Sequence, residues 1–433
     1  MNLLPLTTYR LPFTFLLPPL TLFLVAMAQP VLAQSEDGAL EHARKLLESA
    51  PLIDGHNDLA WEIRESKAAP RDVVAYDLRR STPKHTDLAR LREGRVGAQF
   101  WSIYVPGEFR DSGYARVQLE QFDIARRMIA RYPDRLALAF SAADIERGFK
   151  RGRIASLLGM EGGHVIENSL GALRAYYLLG ARYLTLTHNV TLDWADAALD
   201  TNRHGGLTAF GTEVVREMNR LGMLVDLSHV SPGVMSDALD VSEAPVIFSH
   251  SSARALANHP RNVPDSILAR LPRNGGVVMV TFVPAFISPA TAAWDAELRR
   301  ERERIKTVSD TAEQRRLEEQ WKSAHPQPVA TLQQVADHIE HVRQVAGADH
   351  VGIGSDFDGI DTVPEGLEDV SKFPNLFAEL IRRGWTDQEL KKLARENILR
   401  VLRTAEATAV RLRKTRPPST KTIEELDGPR AKA

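Results

Sequence analysis

Seven side chains in this sequence have the chemistry to hold metal ions and to move a proton between them. They are His56 and Asp58 in PLIDGHND, Glu161 in GMEGGH, His188 in LTLTHN, His229 in VDLSHVS, His250 in VIFSHSS and Asp356 in GIGSDFDG. Each lies at the end of a short apolar run rich in β-formers. In the first motif Asp54, His56 and Asp58 occupy alternate positions, so on a strand all three project to the same side. Taken singly, a His after a strand is an ordinary hydrogen-bonding residue, and Asp58 or Asp356 an ordinary turn or N-cap residue. Taken together they mean more, because so many buried charges need a metal or one another. The chain has no cysteine, which excludes disulfides, thiolate metal sites and thiol nucleophiles. Any metal is therefore held by His and carboxylates, the ligand chemistry of zinc, manganese or cobalt.

Three His and two carboxylates exceed what one tetrahedral zinc needs. Two metals sharing a bridging carboxylate would use them all. Glu161 is the natural bridge, since Gly162 and Gly163 behind it permit close approach. His56 and Asp58 would then hold one ion, and His229 with His250 the other. A water between two divalent cations loses a proton near neutral pH and becomes a nucleophile, while the metals polarise the attacked carbonyl.

The elements that must bring these residues together are legible as alternating runs. Strands are expected at Leu52–Ile53, Val96–Val105, Ile154–Met160, Tyr183–Thr187, Met223–Leu227, Val246–Phe248, Val277–Phe282 and Val351–Ile353. Between most of them, as in Ala115–Arg131, Ser169–Leu179, Phe210–Arg220 and Leu332–Val345, apolar residues recur at helical spacing. Eight such alternations predict a parallel sheet closed into a (β/α)8 TIM barrel, with a doubly wound open sheet as the competing layout. In such a barrel the loops after the strands converge on one face, and six of the eight expected strands deliver a titratable residue there.

The rest of the chain sets the context. Residues 1–33 read as a signal peptide, with Arg10 ahead of an apolar stretch and a cleavage point after Ala33 or Ala28; prolines at 12, 18 and 19 argue against a membrane anchor. The remaining 400 residues are enough for one large barrel with insertions, here residues 34–410. Ala292–Lys322, within about residues 290–328, is dense in alternating charge and reads as a solvated helical insertion. Residues 411–433 are charged and poor in apolar side chains, and are expected to form a mobile tail. A formal net charge of -1 gives no footprint for nucleic acid and no basic patch for a membrane surface.

DGHNDLAW, GMEGGH, RYLTLTHN, WADA, VDLSHVS, APVIFSHSSAR, RNVPD and GIGSDFDGI, in this order, resemble the membrane dipeptidase family (renal-type dipeptidases, metallopeptidase family M19). VPEGLEDVSKFPNL and GLTAFG extend the likeness, which runs from about Pro51 to about Arg403. The resemblance implies an amidohydrolase-type (β/α)8 barrel, two Zn2+ ions per chain, and hydrolysis of the single peptide bond of a dipeptide. It implies His56 and Asp58 on one zinc, His229 and His250 on the other, and Glu161 bridging, in agreement with the grouping above. It further implies that Asp356 manages the proton between water and leaving amine, that His188 stabilises the oxyanion, and that Arg261 in RNVPD holds the substrate's C-terminal carboxylate. Without the resemblance Arg261 would pass for a surface arginine. Tolerance of a C-terminal D-residue is also suggested.

Two departures limit the transfer. Val283 and Pro284 in VTFVPAF stand where mammalian members carry an aromatic, amide-rich stretch near the substrate, so side-chain preference does not carry over. Mammalian members have a lipid-anchor signal and an intersubunit disulfide; this chain has no cysteine and no hydrophobic end, so a homodimer would be non-covalent. Other binuclear amidohydrolases, acting on N-acyl or cyclic amides, commonly place His-x-His on strand one and a modified lysine between the metals; here those positions hold His-Asn-Asp and a glutamate. An inactive binding scaffold would have lost part of the ligand or proton-transfer set, and the whole set is present.

Overall fold

A computed structural model describes residues 1, 36–107, 109 and 113–429. Apart from its first residue, the expected signal peptide lies outside the described residues. Nine parallel strands form the sheet: β1 (Leu52–Asn57), β2 (Val96–Ser102), β3 (Leu136–Leu138), β4 (Ile154–Glu161), β5 (Ala181–Thr185), β6 (Leu224–Asp226), β7 (Ile247–Phe248), β8 (Val277–Val280) and β9 (Val351–Ile353). Eight of them close on themselves. β1 pairs with β2 and β9, the series runs on through β8, β7, β6, β5 and β4, and β4 returns to β2 from Ala98↔Ala155 to Ser102↔Gly159. With helices in the crossovers, this is the expected (β/α)8 barrel and not an open sheet.

The ninth strand was not expected. β3 pairs with the first three residues of β4, Leu136↔Ile154 to Leu138↔Ser156, before β5 begins its pairing at Leu158. It is a side strand filling the barrel wall below β5, and its three residues are too few to show a periodicity.

β1 and β2 are buried along their whole length, as parallel strands covered on both faces must be. One set of strand residues (Ile53, Phe100, Leu157, Tyr183, Leu224, Ile247, Val277, Met279) forms a separate buried cluster in the barrel lumen. Ile398 and Leu402 of the long helix Asn397–Thr415 complete it. The other set packs outward against the helices in the main core. The lumen is thus filled by side chains and rigidly supports the residues above it.

The charged insertion forms two helices, Pro289–Ile305 and Thr311–Ala324, and the second buries no residue. The tail departs from expectation. Asn397–Thr415 carries the helix past residue 411, and a short helix, Ile423–Asp427, docks on the barrel. Ile423 is buried, Asp427 accepts hydrogen bonds from Thr208 Oγ1 (2.6 Å) and the Phe210 amide (3.1 Å), and the Ser419 carbonyl accepts from Arg174 (2.8 Å). Composition suggested mobility because this segment contributes few apolar residues; a capping carboxylate and one buried isoleucine anchor it instead. Among the described residues no helix is long and apolar enough to cross a membrane.

Candidate metal centre

The seven candidate ligand and proton-transfer residues lie at the C-terminal end of the barrel. His56 sits within β1, Glu161 ends β4, and His188, His229, His250 and Asp356 follow β5, β6, β7 and β9 by two or three residues. They surround a cavity of about 500 Å³ whose walls include Asp58, Glu161, His188, His229, Arg261 and Asp356. That is the size of a small-ligand site.

Three groupings bring ligand atoms within 4.8 Å of one another: His56 with Glu161 and His250, Glu161 with His188 and His229, and His56 with Asp58 and Asp356. Glu161 belongs to two of them, and its two oxygens divide between the histidines. Its Oε2 lies 3.4 Å from His56 Nε2, and its Oε1 lies 2.9 Å from His229 Nε2 and 3.4 Å from His250 Nε2. Asp58 Oδ2 lies 3.1 Å from His56 Nε2, and Asp356 Oδ1 3.8 Å. His188 Nε2 is 3.9 Å from Glu161 Oε1.

The hydrogen-bond network assigns the tautomers. The side-chain carbonyl of Asn189 faces His229 Nδ1 at 3.1 Å, so that nitrogen donates. Ser249 gives its hydroxyl proton to Asp226 (2.6 Å) and accepts from His250 Nδ1 (2.9 Å). Both Nε2 atoms therefore carry lone pairs, and they face each other at 2.8 Å. Two opposed lone pairs beside a carboxylate repel unless a cation lies among them. Buried His56 Nε2 and Asp58 Oδ1 have no hydrogen-bond partner, an expensive arrangement that a metal relieves. The donor set thus fits divalent cations.

Electrostatics agree at His229 and His250, whereas at His56 burial is outweighed by Tyr183, Glu161 and Asp58, which hold it well above the usual histidine range. Burial, reinforced by Arg261 and neighbouring imidazoles, holds His229 and His250 well below the usual histidine range, in the neutral form that ligates. Burial and the charge of Asp58 raise Glu161, against the pull of His56. Asp356 is pushed well above the usual carboxylate range by burial first and by Asp58 and Glu161 next.

His229, Asp356 and Asp358 adopt left-handed backbone, with φ of 70°, 68° and 64°. His and Asp tolerate this region better than most residues, and such strain gathers where side chains must be aimed. Gly359 is required here, since a Cβ would stand 2.3 Å from Asp58 Oδ2. Gly162 also sits at positive φ (104°), but a Cβ there would strike His164 Cε1 at 2.3 Å. That glycine makes room for protein packing, not for metals as expected.

Asp54 does not join the centre. Register shifts interrupt β1 between Asp54 and Asn57, and Asp54 turns to the Ser355 amide (2.8 Å), the Ser355 hydroxyl (2.7 Å) and Gln99 (3.0 Å). It ties β1 to β9 beneath the site. Asp58 begins the helix Leu59–Glu65 without capping it; its side chain makes no capping hydrogen bond and faces His56 instead.

Arg261 is buried, and its guanidinium has only long contacts of 3.4 Å to Ser251 Oγ and to the His250 carbonyl. It stacks on Phe286, Cζ 5.2 Å from the ring centre. Burial lowers its pKa to about 10, with Asp356 and Glu161 opposing. A buried cation so loosely bonded on a cavity wall is suited to receive an anion.

The family model for the membrane dipeptidases (peptidase family M19) matches residues 40–416. The chain belongs to the membrane dipeptidase family. It is 42% identical over 390 residues to the dipeptidase verJ of Clonostachys rogersoniana, covering 88% of this chain and 90% of that protein. Among solved structures it is similar to the probable dipeptidase PvdM of Pseudomonas aeruginosa, at 25% identity and a TM-score of 0.75, covering 86% of this chain and 99% of the other. It is also similar to a metallopeptidase of Rhodobacter sphaeroides liganded with a phosphinate mimic of L-Ala-D-Ala, at 25% identity and a TM-score of 0.68, covering 82% and 99%. This dipeptidase is accordingly a metal-dependent enzyme on a TIM barrel.

The structure adds residues that sequence reasoning passed over. Tyr183, in the lumen, places its hydroxyl 2.8 Å from His56 Nδ1. Asp226 accepts from Thr185 Oγ1 (2.5 Å), Ser249 Oγ (2.6 Å) and the amides of Ser228 (3.1 Å) and Ser249 (2.8 Å), which fixes both histidine loops of the dipeptidase. The VDLSH and VIFSH motifs did contain this signal, as a carboxylate and serines flanking the candidate histidines. Trp61 and Tyr104, edge to face at 5.1 Å, form an aromatic cavity wall that no spacing announced.

Proposed function

We propose that this chain is an exported, zinc-dependent dipeptidase whose two Zn2+ ions are held by His56 and Asp58 on one side and His229 and His250 on the other, with Glu161 between them. The observation that carries the reading is the division of Glu161, one oxygen toward His56 and the other toward the His229–His250 pair. The ions, when bound, supply Lewis acidity and an activated water.

The side chains do the rest. Arg261 receives the C-terminal carboxylate and so sets the scissile bond one residue away, which favours dipeptides over longer peptides. His188, whose ring lies 4.3 Å from that of His229 and 4.7 Å from that of Tyr104, stands where it can hydrogen-bond the oxygen of the attacked carbonyl. Asp356 takes a proton from the attacking water and returns it to the departing amine; its burial, with crowding by Asp58 and Glu161, favours the protonated form that the second step requires. The L-Ala-D-Ala mimic bound by the Rhodobacter sphaeroides relative supports acceptance of a C-terminal D-residue here. Export rests on the composition of residues 1–33.

The test is hydrolysis of a matched set by the mature chain: an L,L dipeptide, its L,D counterpart, the C-terminal amide and a tetrapeptide, before and after chelation and zinc restoration. Zinc-dependent cleavage confined to the two free-carboxylate dipeptides is the expected result. Preference for the amide or the tetrapeptide would indicate a different amidohydrolase.

A further inference from the structure

We propose that Asp295, on the first helix of the charged insertion, is a positioning residue for Arg261 and acts through His259. This rests on Arg261 holding the substrate carboxylate.

Arg261 lacks a strong bond of its own to fix the guanidinium, as its two contacts of 3.4 Å show. Its place is set from behind. The Arg261 amide meets His259 Nδ1 at 3.2 Å. On the other side of the ring, Nε2 faces Asp295 Oδ2 at 3.2 Å. Arg299, one helical turn on, lies 2.6 Å from the same carboxylate oxygen and 2.7 Å from Nε2, so Asp295 holds the guanidinium against the imidazole and the three groups lock the ring together.

The same assembly fixes the surface under Arg261. The His259 ring stacks on Phe286 at 4.4 Å and 30°, and Phe286 in turn carries the Arg261 guanidinium. Asn262 donates to the Phe286 carbonyl at 2.7 Å, closing the loop back onto the segment that holds Arg261. His259 is buried, whereas the Asp295 side chain is 22% exposed. Asp295 can therefore be changed without opening the core. The insertion thus has a task that its solvated second helix does not reveal, which is to brace the carboxylate receptor.

The experiment compares Asp295→Ala, Asp295→Asn and Arg261→Ala in steady-state hydrolysis of a free dipeptide, with unfolding midpoints as a folding control. Asn keeps an oxygen in the place of Oδ2, able to accept from Arg299 or from the imidazole. Asp295→Ala is expected to raise KM about 10-fold, the scale of one charge-assisted hydrogen bond, with kcat within about 2-fold. Asp295→Asn is expected to restore most of that affinity. An unchanged KM in Asp295→Ala beside a raised KM in Arg261→Ala would overturn the proposal alone. Equal loss in the Ala and Asn variants, or a fall in kcat without a rise in KM, would overturn it too. An unchanged KM in Arg261→Ala would instead overturn the function on which it rests.

Discussion

His229 and His250 point unprotonated Nε2 atoms at each other across 2.8 Å, because Asn189 and Ser249 have already claimed their Nδ1 protons. Apo protein must carry this repulsion together with the crowding of Asp58, Glu161 and Asp356. Metal binding relieves both, so it contributes directly to stability. At a free ion concentration about 1,000-fold above Kd the gain is about 4 kcal/mol. Chelation should lower the thermal unfolding midpoint and zinc should restore it, as scanning calorimetry would show. Identical midpoints would mean that the cluster is at rest without metal.

Glu161→Gln keeps the shape of the bridge but replaces one anionic oxygen with an amide NH2 that cannot ligate. Loss of a mere supporting hydrogen bond at a metal site costs about 10- to 100-fold, so loss of a bridging ligand should cost at least about 100-fold in kcat/KM. Metal analysis of the same variant should find fewer bound ions. Full turnover would remove Glu161 from the centre.

Arg261→Ala should raise KM for a free dipeptide about 10- to 100-fold while kcat changes less, since binding to a distant carboxylate is shared by ground and transition states. The dipeptide amide offers no such anion, and its weak inhibition of free-dipeptide hydrolysis should hardly change. An equal loss in binding of the dipeptide and of the amide would mean that Arg261 acts elsewhere.

His338 gives a pH prediction away from the centre. It is buried between the Ala253 amide, which donates to Nδ1 (3.0 Å), and the Ile287 carbonyl (3.1 Å), and burial depresses its pKa to about 4 from 6.5. The unfolded chain thus binds this proton more readily than the folded one. The stabilisation is full above pH 6.5 and is lost as pH falls through about 4, a change of about 3 kcal/mol. Urea unfolding at pH 7 and pH 4 should show the wild type losing this much more than His338→Met. Parallel losses would contradict the assignment.

What the sequence conveyed and what it did not follows from the range of each signal. Barrel strands such as Ile154–Glu161 are buried on both faces and read as continuous apolar runs, and their ends carry the ligands. The fold and the convergence of these side chains on one cavity were therefore legible, whereas the close groupings, which set His250 beside His56 and His188 beside His229, were not. Leu136–Leu138 is too short to announce itself, and the register shifts that turn Asp54 away from His56 are set by neighbouring strands. The burial of Arg261 on Phe286 and its link to Asp295 join residues on separate loops and an inserted helix, which local spacing cannot show. The docked tail depends on one capping carboxylate meeting Thr208 more than 200 residues away in sequence.

The proposed function turns on two metal ions held between His56, Asp58, His229 and His250 with Glu161 between them. The decisive experiment titrates zinc into the metal-stripped mature protein while following hydrolysis of L-Ala-D-Ala. Activity should rise until two equivalents of zinc are bound per chain and then level off. Full activity at one equivalent, or two bound equivalents without hydrolysis, would refute the two-metal centre.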